Sequence, residues 1–148
     1  MGLSQLAVTV QTVEPDCTLA AAARLMSTCS IGALLVVEES GGTLCGILTD
    51  RDIVRQIGDG VDPTVATVKP FARVPVATAS VDATRPEIAA QMKHHGVRRI
   101  PVVDDEGTVV GIVSLDDLLL EFAQELFDVA AAVRAGFQHE WTRTDANE

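Results

Sequence analysis

Basic residues are scarce in this chain: 11 Lys and Arg stand against 21 Asp and Glu, giving a formal net charge of −10 over 148 residues. Surfaces that grip nucleic acid neutralise phosphates with clustered Lys and Arg, so general nucleic-acid binding is excluded. Aromatics are scarce too, at 3%, with one Trp and no Tyr. The core must therefore be built from Val, Ile, Leu and Ala, which suits layers of strands and helices. Three cysteines, Cys17, Cys29 and Cys45, are an odd number without CxxC spacing. That excludes a disulfide framework or a zinc ribbon and predicts buried, reduced thiols. No apolar run approaches the ~20 residues of a membrane span, and the start lacks the basic and apolar segments of a secretory signal. A cytoplasmic protein without a membrane partner is expected. P-loop, GxGxxG, nucleophile-elbow and HExxH patterns are missing, and the adjacent His94 and His95 face different directions on a helix. No enzyme is expected.

What the chain does contain is a repeat. Shifting the sequence by 66 places Asp16 on Asp82, Thr18 on Thr84, Ala23 on Ala89, Met26 on Met92, Val36 on Val102 and Val37 on Val103. After a turn, Ser40-Gly41-Gly42 in one copy and Glu106-Gly107 in the other, the offset becomes 65: Gly46 then meets Gly111, Ile47 meets Ile112, Thr49 meets Ser114 and Asp52 meets Asp117. Turns tolerate such length changes. With 47% hydrophobic residues and room for one ordinary domain, two copies must share a small protein.

Each copy reads as strand, helix, strand, strand, helix. The first strands are expected at Thr9–Val13 and Val74–Thr78. Thr18 and Thr84 can cap the helices that follow, one with a face of Leu19, Ala22, Ala23 and Met26, the other with Pro86 in its first turn and Gly96 as its stop. Arg85 replaces Leu19, which predicts a more exposed helix start in the second copy. Apolar runs Ile31–Val37 with Leu44–Leu48, and Val97–Val103 with Val109–Val113, read as hairpins. Thr49 and Ser114 can cap the closing helices. The first ends near Gly58; the second continues its apolar face through Leu126, Val129 and Val133 toward Gly136. That surplus face suits either core against the first repeat or a dimer surface. The expected division is repeat 1 over 8–58, a Pro/Gly-rich linker over 59–73, repeat 2 with the long helix over 74–136 and a polar tail over 137–148.

The two copies end in Gly46-Ile47-Leu48-Thr49-Asp50-Arg51-Asp52 and Gly111-Ile112-Val113-Ser114-Leu115-Asp116-Asp117, the second preceded by Arg99-Ile100-Pro101-Val102-Val103-Asp104. This pattern, over roughly residues 8 to 125, resembles the cystathionine-β-synthase (CBS) domain family. The resemblance implies an α/β (α+β) fold of two β-α-β-β-α units with pseudo-twofold symmetry, clefts between them and frequent dimerisation. It further implies a regulatory role with an adenosine ligand such as AMP, ADP or ATP, less often S-adenosylmethionine or a dinucleotide such as NAD. The positions that match the family's adenine slot are Thr12, Val13, Ile31, Val76, Thr78, Val97, Ile100 and Pro101.

The signature also has its own physical logic. A hydroxyl at a helix start, Thr49 or Ser114, can donate to a phosphate oxygen beside backbone N–H groups and the helix dipole. A carboxylate one turn later, Asp52 or Asp117, offers two acceptors to the paired hydroxyls of a ribose. Arg51, Arg98 and Arg99 can add cations for phosphate. Gly32 and Ala33 stand where the second copy has Arg98 and Arg99, so the clefts are expected to differ, with the one using Asp117, Arg98 and Arg99 favoured. Two alternatives compete with the adenine-nucleotide sensor. One is an interaction subunit that keeps the fold without the ligand; the other is a metal-binding variant using Cys29, Cys45, His94 and His95. A homodimer and a separate effector protein are the expected partners.

Overall fold

The structure, a computed structural model, describes residues 10–38 and 42–144, with side chains up to residue 137. Thr9, the Ser40-Gly41 part of the first turn and the last four residues lie outside this range. The first repeat holds β1 (Thr12–Val13), α1 (Leu19–Cys29), β2 (Ala33–Val37), β3 (Leu44–Thr49) and α2 (Asp50–Gly58). The second holds β4 (Ala79–Ser80), α3 (Arg85–His95), β5 (Arg99–Val103), β6 (Val109–Ser114) and α4 (Leu115–Thr144).

Each repeat has one three-stranded sheet, ordered β1-β2-β3 and β4-β5-β6. The first pair in each is parallel and the second antiparallel, and both hairpins carry a register shift at the same place, between Val36 and Val37 and between Val102 and Val103. The pairing of Val13 with Val36 and of Ala79 with Val102 keeps the offset seen in the sequence.

Alternation along the central strands explains the burial. Leu34 and Val36 face α1 and α2 and join the core of the first repeat with Leu19, Met26 and Leu48; Ile100 and Val102 join the equivalent core with Ile88, Met92 and Leu118. The residues between them, Leu35 and Pro101, point to the opposite face and are buried as well, so both faces of each sheet are covered. The repeats touch: a Cβ on Gly32 would lie 3.3 Å from the Arg99 guanidinium, and one on Gly42 would lie 3.4 Å from Thr108.

Four expectations need correction. The strand expected at Val74–Thr78 is Ala79–Ser80. Pro75 has no N–H for a sheet ladder, and the parallel register with β5 selects residues further along. Gly136 does not stop α4, which runs to Thr144; a glycine inside a helix costs only ~1 kcal/mol, and Ala-rich neighbours offset that. Arg85 is not simply exposed: its side chain is 20% exposed and ion-paired with Glu121, at 3.2 Å, and with Glu125 on α4. Finally, Cys29 is exposed, while Cys17 and Cys45 are partly buried.

The segment between the repeats is part of the first core. Val68 is fully buried there, with Val61, Ala66, Phe71 and Ala72 packed around it. Its carbonyls also satisfy the open N-terminus of α1, where Leu19 N–H donates to Ala66 and Ala20 N–H to Pro63, each at 2.9 Å. The apolar face of α4 settles its own alternative. Leu126, Phe127, Val129, Val133 and Phe137 are exposed, Leu126 by 70%, so the surplus is not core against the first repeat.

Candidate functional site

Both signature motifs close into reciprocal hydrogen bonds at a helix start. Thr49 donates to Asp52 Oδ2 through its backbone N–H at 3.0 Å and its hydroxyl at 2.6 Å, while Asp52 N–H donates back to Thr49 Oγ1 at 3.3 Å. The second repeat repeats this with Ser114 and Asp117 at 3.0, 2.6 and 3.1 Å. The spacing of hydroxyl and carboxylate is therefore that of a capping box. The same geometry places both side chains where the N-terminal ends of α2 and α4 present positive dipole.

The two boxes differ at the second carboxylate oxygen. Asp52 Oδ1 accepts from Arg73 Nε at 3.1 Å and from Arg73 Nη2 at 2.7 Å. Among the described residues, Asp117 Oδ1 has no such donor. The Asp52 side chain is only 7% exposed and Arg73 58%. Burial disfavours the Asp52 carboxylate, but hydrogen bonds from Arg73 and Thr49 outweigh it and hold its pKa below the usual range. Arg73 gave no signal in the sequence beyond being basic, because it lies outside the repeated pattern, in the segment between the copies. Its backbone pairs with Ile47 in both directions, at 2.9 and 3.3 Å, which fixes it beside β3. Gly46 permits that approach, since a Cβ there would stand 2.7 Å from the Cβ of Ala72.

A cavity of about 530 Å³ opens between the repeats. Its lining unites Thr49, Arg51, Val97, Arg98, Arg99 and Ser114, all expected from the sequence, with Arg73, Asp50 and Asp116, which were not. Arg98 is ion-paired with Asp116 at 3.3 Å. Asp52 and Asp117 stand just behind this lining, tied to Thr49 and Ser114. The expected adenine slot is only partly assembled. Val97 faces the cavity, but Ile100 is fully buried in the second core and Pro101 is buried on the other side of β5. Val13 packs on the first core, and Ile31 lines a separate, apolar cavity of about 560 Å³ between α1 and α2. Thr12 and Thr78 are exposed and Val76 half-buried, and none of the three is on the lining. Strand residues alternate faces, so a run of neighbours such as Ile100 and Pro101 cannot all point into one cleft. Among the described residues, no three His, Cys, Asp or Glu side chains come together as a metal site, and no helix is long and apolar enough to cross a membrane.

The CBS domain family matches the chain twice, over residues 7–59 and 68–124. Among curated relatives, Hypoxic response protein 1 of Mycobacterium tuberculosis strain H37Rv is 40% identical over 102 residues, covering 68% of this chain and 70% of that protein. An uncharacterized protein of Methanopyrus kandleri, MK0525, is 33% identical over 111 residues, 74% of this chain but only 56% of that protein. The solved structure of the CBS domain pair of protein MJ0100, in complex with 5-methylthioadenosine and S-adenosyl-L-methionine, superposes with a TM-score of 0.75 at 26% identity. It covers 84% of this chain and 98% of that one. Two matched units, a shared topology and the same signature at the start of each closing helix place this chain in the CBS domain family, as a tandem pair of CBS domains.

Proposed function

We propose that the protein is a regulatory sensor that binds an adenosine compound, of the AMP, ADP or ATP class, in the cleft between its repeats. The observation that carries this reading is the convergence of Thr49, Ser114 and the arginines of both repeats on one cavity of about 530 Å³, a size suited to a small-molecule ligand. Phosphate meets the two helix starts and the guanidiniums; the ribose hydroxyls meet Asp117, whose Oδ1 is open, in preference to Asp52, whose Oδ1 holds Arg73. The ligands of the MJ0100 pair, both adenosine compounds, support the class. No step of covalent chemistry is assigned to the site. The sensor works in the cytoplasm and passes its state to a separate effector protein.

The test is thermal unfolding with AMP, ADP, ATP, NAD and S-adenosylmethionine. At a hundred times its dissociation constant a ligand adds ~2.7 kcal/mol, a shift of several degrees. Asp117→Ala is expected to weaken that shift more than Asp52→Ala. No shift from any compound at millimolar concentration overturns the reading and leaves the second one, an interaction subunit. Under either reading the exposed apolar stripe of α4, from Leu119 to Phe137, suits pairing with a second copy in a homodimer. Sedimentation of the wild type against Leu126→Glu reads it directly, with dissociation of the variant as the expected result.

A further inference from the structure

The match to the CBS domain family ends at residue 124, so most of α4 lies beyond what the second repeat uses. Its apolar side chains fall in two stripes. Leu118 and Phe122 pack on the second core. Roughly a quarter turn around the helix run Leu119, Ala123, Leu126, Ala130, Val133 and Phe137. All six are exposed, Leu126 by 70% and Phe137 by 61%. Their spacings of four, three, four, three and four are those of a coiled-coil seam. The seam alternates in size: Leu119, Leu126 and Val133 at one heptad position are large, while Ala123 and Ala130 at the other are small. Charge is uneven along the same helix. Residues 115–128 hold five acids and no base, and residues 129–137 hold Arg134 and no acid.

We infer that α4 pairs with α4 of a second copy in the antiparallel sense, about a twofold axis that passes beside Asp128. The inference rests on the pairing of this stripe with a second copy, to which it adds direction and register, and it is independent of any ligand. In a parallel pair each heptad position meets its own copy, so Ala123 and Ala130 would face themselves across gaps, and the acidic halves would lie side by side. An antiparallel pair sets one heptad position against the other. With the axis at residue 128, Leu119 meets the partner's Phe137, Ala123 meets the partner's Val133 and Leu126 meets the partner's Ala130. All six residues are then used, and large side chains fill the space that small ones leave. The acidic half of each helix lies against the half that carries Arg134. Asp128 stands on the opposite face of the helix, where it accepts from Gln124 at 3.0 Å, so its two copies do not meet at the axis.

Sedimentation and oxidative cross-linking of the whole chain test this, in a Cys29→Ser background that removes the exposed native thiol. The background protein is expected to sediment as a dimer, and a monomer overturns the pairing itself. Ala123→Cys alone and Val133→Cys alone are each expected to stay free of cross-links, because the axis sets either residue about 15 Å from its own copy along the helices, beyond the reach of a disulfide. Ala123→Cys together with Val133→Cys is expected to yield a covalent dimer. Cross-linking of a single variant shows a parallel pair and overturns the inference while the dimer stands. A dimer that the double variant fails to cross-link overturns the register. Ala130→Leu is expected to weaken association at least about tenfold, by filling the space that the opposing leucine takes; unchanged or tighter association overturns the packing of large on small.

Discussion

The two repeats share a backbone plan down to the position of a bulge, yet they are covered by different parts of the chain. The first is closed by the segment that follows it: Val68 completes its core, Ala66 and Pro63 satisfy the start of α1, and Arg73 reaches back to Asp52. Among the described residues the second is closed instead by α4, with Phe122 against the core and Glu121 and Glu125 on Arg85. Duplication therefore fixed the sheets and the capping boxes, while the residues that complete each unit diverged. Divergence is concentrated where each copy meets something that the other does not.

Exchange of equivalent residues should break the comparison most sharply at the start of the first helix in each repeat. Leu19 is fully buried in the apolar core of the first repeat. Leu19→Arg, which imports the residue of the second repeat, is expected to cost about 4 kcal/mol or more, through an unpaired buried cation. Urea unfolding measures it. A loss under ~1 kcal/mol would mean that this core opens to let the charge reach water.

A smaller difference is expected at the capping boxes. Asp117→Ala removes a cap, for about 1 kcal/mol. Asp52→Ala removes a cap and also an ion pair whose Arg73 end is more than half exposed, so its loss should be somewhat larger, about 1.5 kcal/mol. The Asp52 carboxyl is held below its usual range, so its contribution is present above the unfolded carboxylate pKa and lost as pH falls through the lower folded value. The gap between wild type and Asp52→Ala should therefore close on acidification below the ordinary carboxylate range. A gap independent of pH would show that the ion pair adds nothing.

Much of the fold was legible because its signals are local and doubled. Thr18, Thr84, Thr49 and Ser114 each stand one residue before a helix, and they form two equivalent pairs, one on either side of the one-residue change in offset. Thr49, Ser114 and the three expected arginines reached the cleft because they flank strand ends, where the chain leaves the sheet. Less legible were features set by contacts distant in sequence. Arg73 meets Asp52 across 21 residues, and no periodicity encodes that. The positions matched to the adenine slot were hard to read for a different reason: residues such as Ile31, Ile100 and Pro101 are apolar whether they line a cleft or a core, and only the sheet's alternation tells which way each faces. The first strand of the second repeat is two residues long, too short for a pattern to locate among the valines from Val74 onward.

The smallest expected effect sharpens the same comparison from the other side. Arg85→Leu gives the second repeat the residue that the first one buries. The arginine's partners are 41% and 51% exposed, so its ion pairs are worth only ~0.5–1 kcal/mol, and a leucine recovers part of that by burial against α4. Global stability should change by less than ~1 kcal/mol. The local consequence is larger: without Arg85 the carboxylates of Glu121 and Glu125 repel each other one turn apart on α4, and amide hydrogen exchange there should quicken. Unchanged exchange along α4 would mean that Phe122 and Leu118 alone hold the helix to the second core, and that Arg85 is a charge tolerated at a position where the first repeat requires none.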